Sequence, residues 1–150
     1  MNKYMEKILL AHGGGGSRSA ELTRRLFQRF LRDPLLLEMD DAARLPGQAF
    51  TTDSFVVRPL FFPGGDIGRL AVCGTVNDLA MMGAEPRYLS IGFILEEGFP
   101  VAELERILAS IARACRESGA RIVCADTKVV ERGKAAGLYI NPAGIGRPVF

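Results

Sequence analysis

Cysteine, histidine and net charge are all scarce in this sequence of 150 residues, and each scarcity closes off a class of explanation. The three cysteines, Cys73, Cys115 and Cys124, are odd in number and form no CxxC pair, which argues against a disulfide framework. Each falls in an apolar run and reads as a small core residue in a reducing compartment. With a single histidine beside them, a zinc site has weak support. A formal charge of +2 is too small to imply nucleic acid. Arg18, Arg24, Arg25, Arg29 and Arg32 lie mostly on one predicted helix opposite Leu22, Leu26 and Phe30, and read as its solvated face. No stretch approaches the roughly twenty apolar residues of a membrane helix, and no signal-peptide core precedes Ala11. The expectation is a cytoplasmic protein without a membrane partner.

What is present suits a folded chain. At 48% hydrophobic and 24% charged residues, the expectation is one globular domain over residues 1–150, without repeats or linkers. A short strand is predicted over Lys7 to Ala11, then a helix from Ala20 to about Arg32 capped by Ser19 and ended by Asp33-Pro34. A second strand covers Ala49 to Leu60, and Phe62-Pro-Gly-Gly-Asp66 turns the chain into a helix capped by Asp66. That helix, Leu70 to Gly83, is apolar on all sides and reads as buried. A strand over Tyr88 to Leu95 precedes a helix with Val101, Leu104, Ile107, Leu108, Ile111 and Cys115 at helical spacing, closed by Gly119. Arg121 to Ala125 and Gly137 to Gly146 complete the strands. Alternating strands and helices predict an α/β or α+β fold with helices packed on one sheet.

Asp41, Asp53, Asp78 and Asp126 stand in apolar or Gly-rich surroundings, where a carboxylate is costly unless a positive group meets it. Taken singly, each is better explained as a cap or turn residue. Four together favour a metal-bound phosphate. The glycine run His12-Gly13-Gly14-Gly15-Gly16 could wrap phosphate oxygens with backbone N–H groups or serve as a flexible connector; it is no Walker A motif. Lys128, placed in a turn two residues after Asp126, could meet a phosphate or act as a base, a solvated lysine being the simpler account.

The runs Thr51-Thr-Asp-Ser-Phe through Ala84, Gly92-Phe-Ile-Leu-Glu-Glu-Gly98 and Asp126-Thr-Lys-Val-Val130 closely resemble the HypE family of hydrogenase expression/formation proteins. The likeness starts at Ala11-His-Gly-Gly-Gly-Gly16 and covers nearly the whole chain. It implies an N-terminal α/β domain like that of aminoimidazole ribonucleotide synthetase, binding ATP with Mg2+ and joining its sheet to a partner's in a dimeric β-barrel. By the same resemblance Asp41, Asp53, Asp78 and Asp126 hold magnesium ions against the ATP phosphates. His12, Gly13, Gly14, Gly15 and Gly16 resemble a lid over the nucleotide, and Lys128 resembles the lysine near the reacting group.

In that family ATP drives dehydration of an S-carbamoyl cysteine to a thiocyanate, the source of the cyanide ligands of [NiFe] hydrogenase. The resemblance names the carbamoyltransferase HypF and the HypC–HypD complex as partners, beside a second copy of the chain. The family's second domain and C-terminal cysteine are not among these residues, so the expectation is nucleotide binding without the complete reaction. Ala125 stands where the family has glycine. Two other readings stay open: a non-catalytic dimerisation and docking scaffold, and a phosphotransferase similar to thiamine-monophosphate kinase.

Overall fold

The computed structural model describes residues 7–149, which fall into one unit ending at Asp40 and another beginning at Asp41. In the first, a 3-10 turn Leu10–His12 occupies the place of the predicted strand. No strand forms among the described residues of this unit, because a lone strand has no partner for its ladder. Helix α1 (Gly16–Leu22) runs through a π-helical turn (Thr23–Phe27) into α2 (Gln28–Phe30). It starts before Ser19 because Gly15, at φ 75, supplies the non-helical N-cap conformation. The Ser19 hydroxyl instead donates to the His12 carbonyl at 2.8 Å. Asp33 then caps α3 (Pro34–Glu38), accepting from the Leu35 N–H at 2.9 Å, with Pro34 at the first helical position.

The second unit carries a five-stranded sheet in the order β1-β2-β7-β5-β6, built from β1 (Ala43–Leu45), β2 (Gln48–Thr52), β5 (Ala84–Glu96), β6 (Arg121–Val130) and β7 (Leu138–Pro148). Only β5 and β6 pair in parallel, joined through α5 (Val101–Ser118) as a βαβ unit; the other pairs are antiparallel. The sheet is thus mixed, with helices on one face. A small hairpin, β3 (Phe61–Phe62) with β4 (Gly65–Asp66), leads into α4 (Ile67–Met81). Asp66 caps α4 as predicted, its Oδ1 accepting from the Gly68 N–H at 2.8 Å and the Arg69 N–H at 3.0 Å.

The core follows strand parity. Leu89, Ile91 and Phe93 of β5 and Leu138 and Ile140 of β7 are buried on one face, against Ile67, Ala71 and Val72 of α4 and Ile107, Ile111 and Ala114 of α5. The two helices meet closely at Gly68, where a Cβ would lie 2.8 Å from the Ile107 carbonyl oxygen. Helix α5 ends at Gly119, at φ 74, as its sequence predicts.

Four further expectations need correction. Helix α4 is not buried all round: Leu70 is 38% and Met81 72% exposed, because only one face meets the sheet and α5. The strand expected to reach Leu60 stops at Thr52, where Asp53 and Ser54 turn the chain, and Phe55 keeps one isolated bridge to Ile140. Asp126 and Lys128 lie within β6 rather than in a turn, since β5 pairs with it as far as Val130. Cys115 is buried, but Cys124 is exposed on the edge strand; all three cysteines are free thiols. No helix among the described residues is long and apolar enough to cross a membrane.

Candidate functional site

Strand β2 builds the site's inner wall. Its alternation buries Ala49 and Thr51 on the helix side of the sheet and leaves Gln48, Phe50 and Thr52 on the other. The Thr51 hydroxyl reaches α4, lying 3.0 Å from Asp78 Oδ2 and 3.0 Å from the Asp41 carbonyl oxygen. With one proton to donate, it serves one acceptor at a time and ties the entry to β1 to the last turn of α4.

Asp78 is half-buried. Burial pushes its carboxyl above the ordinary range, the Thr51 hydroxyl draws it back, and the charges of Asp53 and Asp41 push it up again. Three of the four expected aspartates therefore share one electrostatic neighbourhood. Asp53 sits just past β2, where its backbone N–H donates to the Pro142 carbonyl at 3.1 Å and its Oδ1 accepts from the Ser54 N–H at 2.7 Å. Asn141 locks this corner from β7, its Nδ2 donating to the Asp53 carbonyl at 2.6 Å and to Ser54 Oγ at 2.8 Å.

Thr51, Ser54 and Asn141 were not legible as site residues, since neutral side chains in strands and turns carry no charge signature. The one available signal was parity: Thr51 alternates with buried Ala49, so a hydroxyl faces inward.

Asp126 does not join this cluster within one chain. It pairs in register with Gly92, whose neighbours Ile91 and Phe93 face the core, so Asp126 and Lys128 project from the opposite face of the sheet. Strand β6 is also three positions from β2 in the sheet, at least about 14 Å at about 4.8 Å per step. Beyond Lys128, the loop to β7 is held by Glu96, whose carboxylate accepts from the Gly133 N–H at 2.6 Å and the Gly137 N–H at 3.2 Å. Those donors hold the Glu96 carboxyl below its ordinary range.

His12 and its glycines belong to the first unit. The His12 Nδ1 accepts from the Leu9 N–H at 2.9 Å, so with the Ser19 bond to its carbonyl the turn is closed on both sides. Gly15 and Gly16 both hold positive φ, 75 and 72, a conformation that side-chain-bearing residues rarely adopt.

Among the described residues no three His, Cys, Asp or Glu side chains stand ready around a single ion. Magnesium does not require such a cage; it keeps waters and binds through one or two carboxylates together with phosphate oxygens. An all-oxygen set of mutually repelling carboxylates fits that demand.

Residues 39–147 match the family model for AIR synthase related protein, N-terminal domain. The chain belongs to the AIR synthase related family. Within that family, the carbamoyl dehydratase HypE of Escherichia coli K12 is 50% identical over 151 residues, covering 95% of this chain and 45% of its own length. A crystal structure of HypE in complex with ATP matches at 52% identity and TM-score 0.69, covering 96% of this chain and 44% of that one. HypE in a HypE–HypF complex matches at 52% identity and TM-score 0.83, covering 86% and 43%. This AIR synthase related domain spans less than half the length of the HypE proteins it resembles.

Proposed function

We propose that the chain is the magnesium- and ATP-binding half of a HypE-like carbamoyl dehydratase. The observation that carries the reading is that Thr51 bonds the Asp78 carboxylate within reach of the Asp41 and Asp53 charges, in a sequence half identical to HypE proteins, one of them solved with ATP. In this reading these carboxylates, one or two to an ion, would hold magnesium together with phosphate oxygens and so neutralise phosphate charge. Thr51 and Asn141 fix the carboxylates' supporting backbone. The whole protein would use ATP to activate the oxygen of an S-carbamoyl cysteine, and loss of that oxygen would leave the thiocyanate that supplies cyanide to [NiFe] hydrogenase.

Asp126, Lys128 and the His12–Gly16 turn complete the proposal as a fourth acidic ligand, a lysine near the reacting group and a nucleotide lid. Because Asp126 and Lys128 face away from the other aspartates, this part requires a second copy to bring them to a phosphate. The sheet offers a surface for one. Phe50, Ile145 and Tyr88 form a row across β2, β7 and β5 on the face without helices, and Phe50 and Tyr88 are 40% and 44% exposed. An apolar row of this kind favours a homodimer joined sheet to sheet. HypF is the partner best supported, through the neighbour solved with it, and the HypC–HypD complex follows by the same family logic.

Calorimetry of ATP binding with magnesium and with EDTA tests the central claim. Binding should require magnesium and weaken about tenfold or more in Asp78→Asn. ATP bound equally well in EDTA would sink the magnesium requirement, and no ATP bound in either condition would leave partner docking as the role of the domain.

A further inference from the structure

The structure assigns a second anion site, remote from Asp78 and its acidic neighbours, to the concave surface between the β3–β4 hairpin and α5: we infer that it takes the phosphoryl group of a phosphorylated small molecule. The cavity, about 700 Å³, is lined by Phe61, Asp66, Arg69, Arg106, Ser110 and Arg113, a size within the roughly 300–1,000 Å³ of small-molecule pockets. It sits at the opposite end of α4 from Asp78. The helix between Asp66 and Asp78 spans about 18 Å at about 1.5 Å per residue.

Donors dominate its lining. Arg106, Ser110 and Arg113 occupy one face of α5 at spacings of four and three residues. The Arg106 guanidinium stacks over the Phe61 ring, 4.1 Å from its centroid, which holds its planar fork in place. Neither Arg106 nor Arg113 meets a carboxylate within ion-pair range among the described residues, whereas Arg69 is already paired with Glu117 at 2.7 Å. The acidic group in the lining, Asp66, has its Oδ1 engaged by two backbone N–H groups of α4.

Ser110 points to a ligand independently. It is 2% exposed, yet its hydroxyl makes no hydrogen bond among the described residues, and no fully enclosed polar side-chain atom is left unpaired. The hydroxyl must therefore open on the cavity it lines. Two unpaired guanidinium groups and a free hydroxyl, one of the guanidiniums oriented by an aromatic ring, match a dianionic tetrahedral oxyanion with several acceptor oxygens. A metal cation would meet mostly donors here.

The probe is inorganic phosphate, titrated into the full chain at constant ionic strength. Arginine Nε–H resonances of Arg106 and Arg113 should shift and saturate. Arg106→Gln/Arg113→Gln should weaken phosphate about tenfold or more, and Arg106→Lys, which keeps the charge and loses the fork, should weaken it measurably. Asp78→Asn should leave phosphate binding unchanged, and the arginine variants should leave magnesium–ATP binding unchanged, so this site and the aspartate site fail or stand separately. Phosphate affinity that is equal in wild type and the double variant, or no saturable shift at either arginine up to millimolar phosphate, would overturn the assignment.

Discussion

Asp78 Oδ2 lies 3.0 Å from the Thr51 hydroxyl, within reach of the Asp41 and Asp53 charges. The carboxylate is thus stabilised by one donor and opposed by burial and two like charges. This is a site poised for a cation and costly to the fold without one.

Asp78→Asn should therefore stabilise the ligand-free domain while weakening magnesium–ATP binding. The amide keeps an acceptor for Thr51 and removes the repulsion. A rise in Tm of about 1–2 °C is expected without nucleotide, corresponding to a few tenths of a kcal/mol. A Tm that fell would show that Asp78 is held by a partner other than Thr51.

The same geometry sets a pH dependence. The folded carboxyl of Asp78 is raised, so the folded domain binds its proton more tightly than the unfolded chain does. The penalty of ionising it is full above the raised value and vanishes below the ordinary carboxylate value, so this group adds stability as pH falls between the two. Thr51→Val removes the hydrogen bond that lowers the folded Asp78 value, and should extend the upper edge of that window to higher pH. Denaturant unfolding across mildly acidic pH, compared with Asp78→Asn, isolates the contribution.

Asp66 has a structural task. Asp66→Ala removes the acceptor for the Gly68 and Arg69 N–H groups and should cost about 1–2 kcal/mol, whereas Asp66→Asn keeps an acceptor and should cost less. Magnesium–ATP affinity should be unchanged in both. Urea unfolding paired with calorimetry separates the two effects.

Gly74→Ala would place a Cβ 2.6 Å from the Phe55 ring, two residues beyond Asp53 in the chain. The ring must move, so a loss of about 1–3 kcal/mol is expected together with weaker magnesium–ATP binding. Stability lost with ATP affinity intact would show that Phe55 does not help to position Asp53.

Tyr88→Glu puts a charge at the β5 end of the Phe50–Ile145–Tyr88 row and should convert a dimer to a monomer by light scattering. A wild-type chain that is monomeric at micromolar concentration would remove the sheet-to-sheet dimer. If the His12–Gly16 turn is a lid, tryptic cleavage at Arg18 should slow with magnesium and ATP; an unchanged rate would leave it a connector.

Local pattern by itself determined the elements whose signals lie within a few residues. Asp66 before an apolar run marked the start of α4, Gly119 marked the end of α5, and hydrophobic spacing of 3.6 residues placed α5 between two strands. The aspartates were also legible one by one, because charge among apolar neighbours is itself a local signal. Which of them meet was decided only by the tertiary structure. The Asp41 and Asp53 charges reach Asp78 because β2 packs on α4, while Asp126 is turned away by a parity that depends on β6 pairing with β5. Non-local contacts likewise brought Asn141 to Asp53 and opened the Ser110 hydroxyl on an arginine-lined cavity. Lys7 to Ala11 failed as a strand for the same reason: a sequence can favour an extended chain, but a strand exists only where another backbone completes its hydrogen bonds.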